Sequence, residues 1–397
     1  MVRTASLLAQ LLDLFPRTEF LRAVRQHQAE RYAKGFGSWN QFVSMLFCQL
    51  AQAHSLREIC KGLTCCLGKL KHLGLDRGPN KSTLAYANEH RPWELFQTVF
   101  HQLLAKGQQL ARGKKKFRFR NKLYSLDSSV IDLCLSLFDW AQFRRTKGAV
   151  KLHLLLDHEG YLPVFAQITT GKVHDVKIAQ QLHFPLGSIV VFDRGYIDYR
   201  LFARLIAEGV FFVTRMKRNA RYKVVGRRRL PQHRGILRDE IIRLWVWKAR
   251  QDCPYDLRRI EYCVPETGEI LVFLTNHLEF GASTIAAIYK DRWQIELFFK
   301  ALKQNLKVKT FVGTSPNALR TQIWTALIAL LLLKYLQFRS QLNWALSNLV
   351  ALLRWNLFTY RDLWRWLDDP DDTPPLEPAP TQLTFPWAGL GQHPAQP

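Results

Sequence analysis

Apolar residues recur at intervals of three and four through the first part of the chain, most regularly in Trp39–Leu50 and Leu95–Leu104. That 3.6-residue period predicts helices over residues 1 to about 111. Within them, SLREICKGL (55–63) and KLKHLGLDRGPNKSTLAYANEHRP (69–92) read as two short helices around a turn containing glycine and proline. Ser82 is the expected N-cap of the second, and Pro92 marks its stop. From residue 121 the pattern changes to short runs rich in β-branched and aromatic residues, bounded by Gly, Pro or Asp: LYSLDSSVI (123–131), LHLLLDHEG (152–160), LPVFAQITT (162–170), SIVVFDRGY (188–196) and VFFVTRM (210–216). These predict strands. Helical patterns fall at 174–183 and 198–208, so residues 121–216 read as a mixed α/β layer. Residues 217–281 break the rhythm with further strand-like runs and many cations, and read as a separate β-rich insertion. Helices resume at 282–312 and continue through a C-terminal region, 313–367, with segments near 316–338 and 340–367. The tail, 368–397, opens with DDPDDTPPLEPAP, an acidic, proline-rich composition that predicts disorder.

Charge narrows the choice of partner. The chain has 57 Lys and Arg against 32 Asp and Glu, a net charge of +25 over 397 residues, which implies a polyanion and favours nucleic acid over a membrane surface. The greasiest run, Ile323–Leu333, lies between Arg320 and Lys334 and is shorter than the span of about 20 residues a bilayer needs. It predicts a buried helix. Asp13 interrupts the apolar N-terminus and no small-residue cleavage site follows, so no secretory signal is expected. Seven cysteines, two of them adjacent, support neither a disulfide framework nor a zinc site, which points to a reducing, cytoplasmic setting. RGKKKFRFR (112–120) is a basic linker suited to tracking a phosphate backbone. In the helical front, Lys81, Ser82, Thr83, Tyr86 and Asn88 are candidate contacts of a helix-turn-helix-like DNA reader. A small helical bundle with solvated charges fits the same pattern.

The candidate chemistry is acidic. YKDRWQIELFFKALK (289–303) reads as one amphipathic helix. At ~100° per residue, Tyr289, Arg292, Glu296 and Lys303 fall within a ~60° arc. Ile288, Ile295, Phe299, Leu302 and Leu306 form an apolar stripe beside them. A carboxylate among two cations and a phenol suits a metal ligand next to bound phosphates, although an ordinary exposed Arg292–Glu296 pair has the same spacing. Asp127 ends the apolar run of LYSLDSS, and Asp193 ends that of SIVVFDRGY, where Gly195 offers a sharp turn. A carboxylate at the end of a buried strand is costly unless it is paired or binds a cation. With Glu296 these make three hard oxygen donors without His or Cys, which suits Mg²⁺ or Mn²⁺ rather than zinc. Two such ions can activate a water or hydroxyl and stabilise the leaving oxygen in phosphodiester chemistry. Asp132, Asp139, Asp157, Asp175 and Asp198 lie near the same strands as competitors. Asp132 and Asp139 read equally well as surface charges, and Asp157 falls in a hairpin turn, DHEG.

YSLDSSVIDL, GAVKLHLLLDHEGYLPVFAQITTGKVHDVK, VVFDRGYIDY and Y-x2-R-x3-E-x6-K, in this order over about 121–310, resemble the DDE transposases of bacterial insertion sequences. The resemblance is closest to insertion-sequence family four, with its YREK signature. DLFPRTEF, FGSWNQFVSMLFCQLAQAHSLREI and NKSTLAYANEHRP resemble the N-terminal domain of one branch of that family. The resemblance implies a ribonuclease-H-like catalytic domain interrupted by the β-rich insertion, behind a helical DNA-binding domain at 1–111. It implies Asp127, Asp193 and Glu296 as ligands of two Mg²⁺ or Mn²⁺ ions, and Tyr289, Arg292 and Lys303 as contacts to transposon-end DNA. Trp245 and Trp247 become candidates for stacking a flipped base, with a place in a β-sheet core as the other reading. His174-Asp175 becomes site support. The activity implied is cutting at inverted-repeat ends and joining the freed 3′-hydroxyl to target DNA, in a homodimeric paired-end complex. A catalytically dead DNA-binding relic or repressor would keep the fold, but all three acids and the whole YREK set are present.

Overall fold

The computed structural model describes residues 5–31, 33–66, 69–144, 147–231, 235–306 and 311–376. Six helices come first: α1 (Leu7–Leu12), α2 (Arg17–Gln26), α3 (Ser38–Leu50), α4 (Leu56–Thr64), α5 (Lys81–His90) and α6 (Glu94–Ala111). α1, α4 and α5 start on side-chain caps, Ser6, Ser55 and Asn80. Ser55 accepts from the Glu58 N–H at 3.2 Å while Glu58 reaches back to accept from the N–H of His54, the residue before the cap, at 2.8 Å, a variant of the capping box at the head of α4. The cap of α5 is Asn80, whose side chain accepts from the Ser82 N–H; Ser82 lies inside the helix and is not the cap. Residues 65–80 separate α4 from α5, far more than the three or four residues of a tight helix-turn-helix.

Among the described residues, ten strands share one mixed sheet: β1 (Leu123–Leu133), β2 (Gln142–Arg144), β3 (Lys147–Asp157), β4 (Leu162–Thr170), β5 (Ile189–Phe192), β6 (Phe211–Arg215), β7 (Tyr222–Arg227), β8 (Ile236–Leu244), β9 (Leu257–Cys263) and β10 (Ile270–Thr275). The order is β2-β3-β1-β5-β6-β10-β9-β8-β7, with β4 also pairing β3. β1, β5 and β6 run parallel; the other pairings are antiparallel. The expected separate insertion is instead continuous with this sheet, because β10 pairs directly with β6. Short helices α7 (Asp175–Ala179), α8 (Tyr199–Ala207) and α9 (Trp247–Asp252) connect strands. Leu201, Phe202 and Leu205 of α8 pack on Tyr124, Leu126, Phe192 and Phe212 over one sheet face.

On the opposite face α10 (Ala282–Asp291) and α11 (Trp293–Asn305) meet the strands, and α12 (Pro316–Arg339), α13 (Leu346–Asn356) and α14 (Leu363–Asp368) pack on other helices. α12 contains the greasy run, and no residue from Ile323 to Leu333 is more than 1% exposed. At 24 residues α12 is long enough to cross a bilayer, which the shorter run alone did not suggest. Here it is wrapped by α3, α5, α6, α11 and α13. A helix apolar all round is a core element, and this one joins the two ends of the chain. Leu7 and Leu8 donate their N–H groups to the carbonyls of Thr359 and Leu357 at 3.1 and 2.9 Å. Residues 1–111 therefore do not close a core of their own. The expected helix at 340–367 is two, α13 and α14. The start of the proline-rich tail is docked: Thr373 is buried and the Leu376 N–H reaches the Tyr360 carbonyl at 2.6 Å. The disorder expected beyond it, over 377–397, lies outside the described residues.

Candidate active site

Strand register places the first two acids. Leu126 pairs with Phe192 as the last rung of the parallel β1–β5 ladder, so the next residues, Asp127 within β1 and Asp193 just past the end of β5, come side by side. Leu123, Ile189 and Val191 pack beneath α10, and by the two-residue alternation of a strand Asp127 and Asp193 project to that same face. Asp127 lies within β1 and does not end it; what ends there is the pairing with β5. Asp193 caps a short turn by accepting from the Gly195 N–H at 2.8 Å. A Cβ at Gly195 would meet that carboxylate oxygen at 3.0 Å, so glycine keeps the approach open.

The helix expected at 289–303 is broken at Arg292, which ends α10 and precedes α11. The break separates the roles of its residues. Tyr289, 9% exposed, packs on Phe273 with ring centroids 5.0 Å apart. The Arg292 guanidinium lies 5.4 Å from the Tyr289 ring centroid. Its Nη2 donates to Glu296 Oε1 at 2.5 Å and its Nη1 to Asp127 Oδ2 at 3.3 Å. Arg292 thus links two of the three acids. Lys303, one turn past the middle of α11, donates to the Val130 carbonyl of β1 at 2.9 Å.

The electrostatics of this cluster are unbalanced. Burial pushes the Asp127 carboxyl up to about 7, Asp193 and Glu296 push the same way, and the Ser128 N–H and Arg292 oppose them. Among the described residues, no three His, Cys, Asp or Glu form a set that could hold a metal ion as they stand. The donor chemistry of Asp127, Asp193 and Glu296 suits a hard divalent cation, but the guanidinium joining two of them would have to turn away. An acid whose pKa is raised by folding adds stability that is complete below its unfolded value near 4 and is lost as pH rises through about 7. In chelator-containing buffer, wild type should lose melting temperature relative to Asp127→Asn between pH 4 and 8. Parallel melting profiles across that range would contradict the raised value.

The other sequence candidates scatter. Lys81, Ser82, Thr83 and Tyr86 are exposed along α5. Asn88 is buried: it accepts from Gln41 Nε2 at 2.9 Å, and its carbonyl accepts from Asn317 at 2.9 Å, so it is a core tie and not a DNA contact. Trp245 and Trp247 are 66% and 76% exposed, which removes the sheet-core alternative for both. Asp175 accepts from Ser128 Oγ at 2.7 Å and pairs with Lys151 at 3.1 Å, bracing the neighbour of Asp127 from the other sheet face. Asp132 and Asp139 are exposed, Asp157 pairs with Lys122, and Asp198 caps α8. The basic linker is partly consumed: Lys116 pairs with Asp291 and Lys115 with Glu159. Arg112, Arg118 and Arg120 remain exposed. Ser125, His158 and Asp291, buried polar groups beside the acids, escaped the sequence reading. Only Ser125 carried a signal, as a polar residue inside an apolar run; His158 and Asp291 sit among other charged residues.

Residues 118–332 match the sequence family described as "Transposase DDE domain", and residues 3–76 match a family described only as a domain of unknown function. A protein of Sinorhizobium fredii named as a transposase is 32% identical over 318 residues, covering 77% of this chain and 86% of that protein. One of Geobacillus stearothermophilus, named as the transposase of an insertion sequence element, is 28% identical over 285 residues, covering 69% and 74%. The piggyBac transposase in a synaptic complex with hairpin DNA aligns over 90% of this chain and 81% of its own, at 10% identity and a TM-score of 0.45, too loose a likeness to decide anything about the fold. The family match spans more than half of the chain and encloses every acid of the cluster, and a relative above 30% identity is covered over most of its length: this chain belongs to the transposases built on a DDE domain.

Proposed function

We propose that this chain is the transposase of an insertion sequence, which binds the inverted-repeat ends, cuts there and joins the freed 3′-hydroxyl to target DNA. The observation that carries the reading is the β1–β5 register, which sets Asp127 beside Asp193 on the face where Arg292 ties Glu296 to Asp127. The order β4-β3-β1-β5-β6, three antiparallel strands followed by two parallel ones, supports a ribonuclease-H-like core. Asp127, Asp193 and Glu296 would hold two Mg²⁺ or Mn²⁺ ions. Such ions, when bound, supply Lewis acidity that activates the attacking oxygen and neutralises the leaving one. The protein's own part is orientation. Arg292, once released from the acids, can fork a phosphate, and Lys303 can neutralise a second. Tyr289, buried against Phe273, suits bracing the Arg292 guanidinium better than reaching a phosphate itself. The exposed face of α5 (Lys81, Thr83) would read the ends, and exposed Trp245 or Trp247 would stack a displaced base. Two copies would act together in a paired-end complex.

The test is cleavage of a duplex carrying the element's terminal repeat and its flank. With Mg²⁺ the chain should nick at the repeat boundary and leave a 3′-hydroxyl, and chelation should stop it. Binding of the repeat without any nick, under Mg²⁺ and under Mn²⁺, would overturn the reading in favour of a DNA-binding relic.

A further inference from the structure

Polar side chains from four segments meet behind the acids. Asp291, the last residue of α10, is 2% exposed. Its carboxylate accepts from Lys116 Nζ at 2.6 Å, from His158 Nδ1 at 2.7 Å and from the Tyr161 hydroxyl at 3.1 Å. The other ring nitrogen of His158 lies 2.7 Å from Ser125 Oγ. With Nδ1–H given to the carboxylate, a neutral His158 leaves Nε2 to accept from the Ser125 hydroxyl. Serine, histidine and aspartate in this order make an activated nucleophile elsewhere. Ser125 is fully buried between Tyr124 and Leu126, however, so no substrate reaches it. The set is a brace. Ser125 lies two residues before Asp127 on the same face of β1, and Asp291 directly precedes Arg292 at the helix break.

We propose that Asp291 is a positioning residue: held by Lys116, Tyr161 and His158, with Ser125 behind the imidazole, it fixes the join between α10 and α11 and so aims Arg292 and Glu296 at Asp127. This rests on the transposase reading of the acids. The lever is short. Glu296 lies about 6 Å along the helix from the break, so a tilt of about 10° there moves it by about 1 Å. Misplacement by about 1 Å can cost on the order of 100-fold in rate. No break-inducing proline or glycine lies in YKDRWQIEL, and Arg292 keeps helical angles (φ −52°, ψ −29°), so the interruption there needs a tertiary cause, and a buried carboxylate with charge-assisted hydrogen bonds is one.

The experiment compares full-length wild type with Asp291→Asn, which keeps shape and loses charge, and with Lys116→Met, which changes a side chain 56% exposed and therefore spares the core. Amide exchange of the DNA-free proteins should quicken at least about tenfold over residues 289–296 in Asp291→Asn, and less in Lys116→Met, with α12 unchanged. Single-turnover cleavage should fall by about 10- to 100-fold in Asp291→Asn while end binding stays within about threefold. Added to Arg292→Ala, Asp291→Asn should cost little more, since both act through one guanidinium. Unchanged exchange at 289–296 in both variants overturns the brace whatever cleavage does, and so does full multiplication of the two costs in the double variant. A wild type that does not cut, but whose exchange responds as described, supports the brace and counts against the transposase reading alone.

Discussion

Asp127→Asn, Asp193→Asn and Glu296→Gln should each reduce strand cleavage by at least about a thousandfold, about 4 kcal/mol of barrier, while repeat-end binding persists. Each change keeps the side chain's shape and removes one anionic oxygen donor. The three variants should differ in other respects. Asp193→Asn keeps the acceptor that caps the turn at Gly195, so the backbone there is preserved. Glu296→Gln weakens the short contact with Arg292. Asp127→Asn removes the most strongly perturbed acid of the cluster and should melt above wild type near pH 8 without divalent ions. Paired gel-shift and single-turnover nicking assays check the first claim. Full nicking by any one variant would remove that residue from the site.

The second large effect should come from Arg292→Ala, with cleavage reduced by about 100-fold at saturating Mg²⁺. In the DNA-free protein this guanidinium spans two acids, so it competes with any cation they are to bind. Removing it should therefore lower the divalent ion concentration needed for half-maximal cleavage even as the maximal rate falls. Arg292→Lys should recover only part of the rate, because an ammonium keeps the charge but cannot span two oxygens as a planar fork does. If Arg292 merely pairs with Glu296 on a helix surface, alanine would cost at most about 0.5 kcal/mol of helix stability and leave cleavage alone. Wild-type rates and metal dependence in both variants would establish that lesser role.

Asp127 and Asp193 were legible in the sequence because a carboxylate that closes an apolar strand run announces itself without knowledge of the fold, whereas Glu296 was legible only through its company of Tyr289, Arg292 and Lys303 on one helix face. The strand nature of β1, β3, β4, β5 and β6 was legible for the same reason, since period-two and continuous apolar runs are local signals. Long-range contacts were not. YKDRWQIEL reads as unbroken helix, and the break at Arg292 accompanies a carboxylate claimed by His158 and Lys116, both far away in sequence. Asn88 looked like a surface contact because its partners, Gln41 and Asn317, belong to helices that meet only in the folded chain. The insertion looked separate because its strands are contiguous in sequence; only the pairing of β10 with β6 shows it to be an extension of the sheet. Exposure of Trp245 and Trp247 could not be read at all, since nothing local showed that β8 stops at Leu244 and that a short helix opens at Trp247.

The central position of α12 has a consequence for biosynthesis. The six leading helices leave the ribosome long before the segment that completes their interior, with about 230 residues separating the end of α6 from the end of α12. At typical rates of about 5–20 residues per second, that interval lasts roughly 10–50 s. Throughout it, the apolar flanks of α3 and α6 wait uncovered on a nascent chain that is also strongly cationic. Such a chain is a natural client for a holding chaperone, and its yield should depend on translation speed between residues 111 and 339 more than on the stability of the finished fold. Slowing the ribosome within that stretch lengthens the exposure, whereas slowing it after residue 367 should do no harm.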